Sequence, residues 1–204
     1  MKNILNKIPI ALIISRLLFG IILLLLALVQ ANNFKIIAVV LFTLGLLSDI
    51  FDGIIARKLN ISSTFLRRLD STVDQIFFIL VAVAAYINCP AFFKENNIQL
   101  IILVSVEALT YVISFLKFKK EVATHAIASK IWTLFLFACI TQILYSCNSD
   151  ILFQLCFYIG IATRLEIIGI ILLLKTWTND VPSIYHAYLL RQGKTIKRNK
   201  LFNG

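Results

Sequence analysis

The sequence predicts an all-α, polytopic membrane protein with six transmembrane helices and a short amphipathic helix near its C-terminus. Three observations predict it. Of 204 residues, 60% are hydrophobic and 15% charged, with a mean hydropathy of +0.91, whereas about a quarter of a soluble domain is charged. The apolar residues gather into six stretches near the length of about 20 residues that a membrane crossing needs. The basic residues, in turn, gather in alternate links between those stretches. The same numbers exclude a disordered chain, and 7 Gly, 3 Pro and 4 Cys exclude a collagen or a disulfide scaffold.

Taken in order, the spans are predicted at about 8–29, 35–58, 71–87, 98–118, 126–146 and 151–175. The first is too long, and interrupted by Arg16, to read as a cleaved signal peptide, so it is expected to remain as a span. The third begins among acids, so its start is the least defined boundary. Links 30–34, 88–97 and 147–150 are brief and leave no room for a soluble domain. Without repeats or Gly/Ser linkers, residues 1–204 read as one six-helix catalytic domain. The last element, Val181 to Gly193, reads as a helix started by Pro182 and stopped by Gly193, with a basic continuation suited to anionic headgroups.

Orientation follows from counting cations. Lys2, Lys7, Arg57, Lys58, Arg67, Arg68, Lys117, Lys119, Lys120, Lys175, Arg191, Lys194, Lys197, Arg198 and Lys200 lie on one side, and only Lys35 and Lys94 on the other. The positive-inside rule then places both termini in the cytoplasm. The net charge of +10 is thereby explained by membrane orientation, and nucleic acid is not an expected partner. Cys139 and Cys156 fall in apolar spans as packing residues, while Cys89 and Cys147 fall near the far face, where a disulfide is compatible with their positions.

The scarce acids carry the chemical signal. Four of the ten lie within 26 residues, as Asp49, Asp52, Asp70 and Asp74. On a helix, positions 49, 52, 53, 56 and 57 share one side, and Asp49 lies about 12 Å of helical rise from Arg57. Asp49 is therefore expected inside the cytoplasmic half of the membrane, where acids are costly and rarely incidental. Asp70 and Asp74 stand one turn apart on the next span, reached by a link returning on the same face. Four converging carboxylates call for a counter-charge. Their hard oxygens, with no His or Cys nearby, suit one or two Mg²⁺ or Mn²⁺ ions and the handling of phosphates. Small Gly53 and Ala56 leave a concavity beside the acids, and also suit helix packing.

These residues resemble the signature of the CDP-alcohol phosphotransferase family, D-x-x-D-G-x-x-A-R-x8-G-x3-D-x3-D. Asp49, Asp52, Gly53, Ala56, Arg57, Asp70 and Asp74 match at the right spacing, and Leu66 stands where the family has glycine. The resemblance extends to the six spans, to an N-terminal segment reading Ile8-Pro9 to Arg16, and to a motif at the end of the second span. It implies transfer of a substituted phosphate from a CDP-linked alcohol, commonly CDP-diacylglycerol, to the hydroxyl of a small polar alcohol, with release of CMP. By the same resemblance Asp49, Asp52 and Asp70 hold two Mg²⁺ or Mn²⁺ ions, and Asp74 deprotonates the acceptor while also touching a metal. Gly53, Ala56 and Arg57 line the CDP site, and the active protein is a homodimer. The isobutyl side chain of Leu66 has to be accommodated by a shift of the link, a changed nucleotide pocket or a reduced activity.

Arg16, Glu107, Lys130, Arg164 and Glu166 also fall inside predicted spans. Glu107 or Glu166 is available to neutralise Arg16 or Arg164. Lys130, near the cytoplasmic start of the fifth span, is a candidate for the acceptor site, and would suit a phosphorylated alcohol. His125 and His186 read as surface or interfacial residues. Two other classes fit the sequence less well. An aspartate-rich intramembrane prenyltransferase needs two separated acidic motifs on a larger bundle. A divalent-cation carrier would leave Arg57 and the Gly53/Ala56 concavity unexplained.

Overall fold

A computed structural model of the chain describes residues 8–59, 64–120, 122 and 126–196, except for the side chains at 57, 58, 64, 65, 67 and 68. The described residues are mainly helical, with no strand among them. The helices are α1 (Ile8–Leu28), α2 (Phe34–Lys58), α3 (Thr64–Asn88), α4 (Pro90–Glu95), α5 (Asn97–Phe118), α6 (Ile127–Ser146), α7 (Asp150–Leu173) and α8 (Ile184–Arg191). Six of them, all but α4 and α8, contain stretches long and apolar enough to cross a membrane. The chain is thus an integral membrane protein by length and composition, with the six spans where hydropathy predicts them.

Two boundaries differ from the sequence reading. The third helix begins at Thr64, seven residues before the predicted start at 71, so Asp70 lies inside the helix and does not cap it. Arg67, Arg68 and Asp70 end an apolar window, yet charged residues do not end a helix. The apolar stretch begins only at Leu69. The link at 88–97 also carries a six-residue helix, α4, opened by Pro90 at a position where proline is preorganised.

The contacts divide the chain into two compact units: residues 1–94 with 140–148, and residues 95–139 with 149–204. In the first unit α1 packs against both α2 and α3, which touch each other far less. Its buried residues are Pro9, Ile13, Arg16, Gly20, Leu23 and Ala27, a stripe at spacings of three and four. The matching stripe of α2 is Phe34, Ala38, Phe42, Gly45, Ser48, Asp52 and Ala56. On α3 it is Val73, Phe77, Val81 and Ala84. Phe77 fills the middle of the unit, stacked on Phe42 with ring centroids 6.0 Å apart. Gly45 and Gly20 leave the space its ring needs. At the far end of α3 a disulfide joins Cys89 to Cys147, with Cα atoms 5.1 Å apart.

In the second unit an ion pair, Arg164 to Glu107, lies within the spans. The Arg164 guanidinium sits 4.8 Å from the Trp132 ring centroid, and Trp132 Nε1 donates to the Cys156 carbonyl at 3.0 Å. Glu107 is therefore the partner of Arg164. Glu166 instead accepts from the backbone N–H of Ile184, at 3.3 Å, where α8 begins. That helix starts two residues after Pro182, ends at Arg191 and is followed by Gly193 at φ +79°. Ala187 is buried in a cluster with Ile167, Ile170 and Ile171, while Tyr185, Tyr188 and Arg191 face outward. A short helix thus lies where the sequence predicts it, with one face covered by α7. His125 and the basic continuation from 197 lie outside the described residues.

Candidate active site

The first unit brings all four motif acids together around one cation. α2 presents Asp52 on its buried stripe and Asp49 one residue off it; α3 presents Asp70 and Asp74 on the face that also carries Val73 and Phe77. Each of Asp49, Asp70 and Asp74 offers an oxygen within 4.8 Å of the others. These three side chains are 32–37% exposed, whereas that of Asp52 is 4% exposed. Three acids therefore form an open group, and the fourth is closed off from it.

Arg16, from the first helix, is almost wholly buried among them. Its Nη1 lies 3.0 Å from Asp49 Oδ1 and 3.1 Å from Asp70 Oδ1, and it also contacts Asp74 Oδ1. Nη2 contacts Asp52 Oδ2, and Nε faces Ser48 Oγ at 3.5 Å. Ser48 in turn donates to the Gly45 carbonyl at 2.7 Å. The expectation that Arg16 meets Glu107 or Glu166 gives way to this arrangement. The reason is positional: Arg16 is on the stripe of α1 that packs against α2 and α3. Neither Arg16 nor Ser48 belongs to the acidic signature, and sequence reasoning assigned neither to the site.

The donor set is chemically uniform. Three grouped carboxylates, with no His or Cys ligand among them in the described residues, fit a hard divalent cation such as Mg²⁺ or Mn²⁺. Three converging oxygens could supply one face of such an ion, leaving positions for water or phosphate oxygens. Gly53 is half-buried and Ala56 buried beside the acids on α2. Leu66 is half-buried in the first turn of α3, one helical turn before Asp70. The side chain of Arg57 lies outside the described residues. Lys130 is half-buried in the first turn of α6 and belongs to the second unit.

Comparison with known proteins identifies one family. The model of the CDP-alcohol phosphatidyltransferase family matches residues 6–177, a stretch that includes all six spans and the acidic signature. No curated protein and no solved structure matches the chain.

Proposed function

The chain belongs to the CDP-alcohol phosphatidyltransferase family, and from that premise we propose that it transfers a phosphatidyl group from CDP-diacylglycerol to the hydroxyl of a small polar alcohol, releasing CMP. The coarser activity, transfer of a phosphatidyl group from a CDP-alcohol in phospholipid synthesis, is what the family implies. The observation that carries the finer reading is the group of Asp49, Asp70 and Asp74 oxygens within 4.8 Å of one another at the end of two membrane-spanning helices. A hydrophobic donor with a charged head needs its diphosphate received at that level, below the membrane surface.

Each residue then has a task. Asp49, Asp52 and Asp70 hold one or two Mg²⁺ or Mn²⁺ ions, and Asp74 shares in holding them. Bound there, the ions offset the negative charge of the diphosphate and of the departing CMP. Asp74 takes the proton from the acceptor hydroxyl, whose oxygen attacks the phosphatidyl phosphorus as the bond to the CMP oxygen breaks. Gly53 and Ala56 let the nucleotide approach the α2 backbone, Arg57 meets a phosphate, and Leu66 narrows the space that glycine leaves open in the family pattern. Lys130 serves the acceptor, residues 1–204 act as one catalytic domain, and the protein works as a homodimer. Purified protein in nanodiscs with Mn²⁺ should release CMP from CDP-diacylglycerol only when an acceptor is supplied. A panel of serine, inositol, inositol phosphate, glycerol 3-phosphate, choline and ethanolamine identifies which one. Absence of CMP release with the whole panel would overturn the reading.

The same proposal places both termini and the site in the cytoplasm. The cation asymmetry supports it, and so does the disulfide between Cys89 and Cys147 at the opposite end of α3, since disulfides persist in oxidising compartments. After reduction in sealed right-side-out vesicles, a membrane-impermeant maleimide should label Cys147. Labelling confined to inside-out vesicles would reverse the topology.

A further inference from the structure

We infer that Arg16 is a resident counter-cation of the acidic cluster, competing with the metal ion for the same three carboxylates. This rests on the metal-dependent reading proposed above and concerns a residue outside the acidic signature. The oxygens grouped closely enough to share an ion belong to Asp49, Asp70 and Asp74. Those are the three carboxylates that Arg16 Nη1 contacts. One nitrogen therefore takes an oxygen from each carboxylate that a shared ion could use, and both cannot use the same oxygens at once.

The other edge of the guanidinium explains how it could yield without leaving. Nη2 pairs with Oδ2 of the buried Asp52, whose Oδ1 is left for an ion, and Nε faces Ser48. Both partners belong to the stripe of α2 that packs on α1, so the arginine stays held on that side while Nη1 gives up its oxygens. Charge balance favours such an exchange. Among the described residues, four carboxylates against one guanidinium leave three negative charges, enough to attract a divalent ion. Without the guanidinium the four acids would repel one another unrelieved until an ion arrived. Arg16 thus holds the acids together in the metal-free protein and weakens metal binding as the cost of doing so.

The test is a thermal-stability titration of full-length protein in detergent or nanodiscs, with chelator and then with increasing Mn²⁺. Arg16→Met should lower the transition of the chelated protein by about 5 °C or more, because buried acids lose their partner. It should also shift the Mn²⁺ midpoint to a concentration lower by about tenfold or more, because a positive charge a few ångströms from the ion has gone. Arg16→Lys keeps one charge but cannot reach both Asp52 and the open group, so its midpoint should fall between the two. It serves alone if the methionine variant fails to fold. A normal wild-type response with an unchanged or higher midpoint in the variants overturns this inference alone. A wild-type protein whose stability ignores Mn²⁺ overturns the metal reading and this inference with it.

Discussion

Asparagine at position 70 is expected to lower CMP release by about 10³-fold or more, and asparagine at 74 to do the same for a different reason. Both substitutions keep the shape of the side chain and remove its charge. Arg16 still bridges the remaining acids in either variant, so the helices should stay in register. Asp70→Asn removes a ligand charge, which a higher concentration of Mn²⁺ can offset by mass action. Asp74→Asn removes the proposed proton acceptor, and no concentration of ion replaces it. The two variants therefore separate in a Mn²⁺ titration of turnover: partial recovery for Asp70→Asn, none for Asp74→Asn. Normal turnover in either variant, or full activity of the wild type in excess chelator, would remove the metal-and-base assignment.

What hydropathy and spacing reveal here is depth, and what they leave open is direction around the helix axis. The six spans and the acidic signature were legible because each is a pattern along one dimension. Arg16 lies about 12 Å of rise inside its helix from Ile8, and Asp49 about 13 Å inside its own from Lys58, so their depths agree. Glu107 and Glu166 are also intramembrane acids, which is why charge bookkeeping alone left the partner of Arg16 open. The stripe Ile13, Arg16, Gly20 and Leu23 decides it. An arginine in register with buried apolar residues faces a neighbouring helix, and the neighbours of α1 are the helices carrying the motif. The start of the third helix was harder for the opposite reason. Thr64 to Arg68 is helical but too charged to register as membrane-spanning, so hydropathy marks where the apolar stretch begins and not where the helix does.

Gly45→Ala should damage the site without touching any residue in it. The added methyl would fall inside the space of the Phe77 ring, which is 1% exposed and stacked on Phe42. Overpacking of this kind costs about 1–3 kcal/mol, and for a chain of this size each kcal/mol lowers the transition by roughly 2–4 °C. The functional cost follows from sequence neighbours. Gly45 is one turn before Asp49 on α2, and Phe77 is three residues after Asp74 on α3, so the helix displacement that relieves the clash moves the two pairs of acids apart. A displacement of 1 Å at a reacting centre can cost about 10²-fold, and we expect turnover to fall by at least about tenfold. Gly20→Ala is the control. Its methyl would stand 3.0 Å from Leu80 Cδ1 and from Phe77 Cδ2, whereas the Gly45 methyl would come far closer than that to Phe77 Cζ. The neighbours of Gly20 need give only a few tenths of an ångström, so the losses of stability and turnover should be clearly smaller than those of Gly45→Ala. Shrinking the ring in the damaged background completes the argument: Gly45→Ala with Phe77→Leu should recover both stability and turnover relative to Gly45→Ala alone. Independent, additive losses in the double variant would show that the glycine and the ring do not set the spacing of the acids.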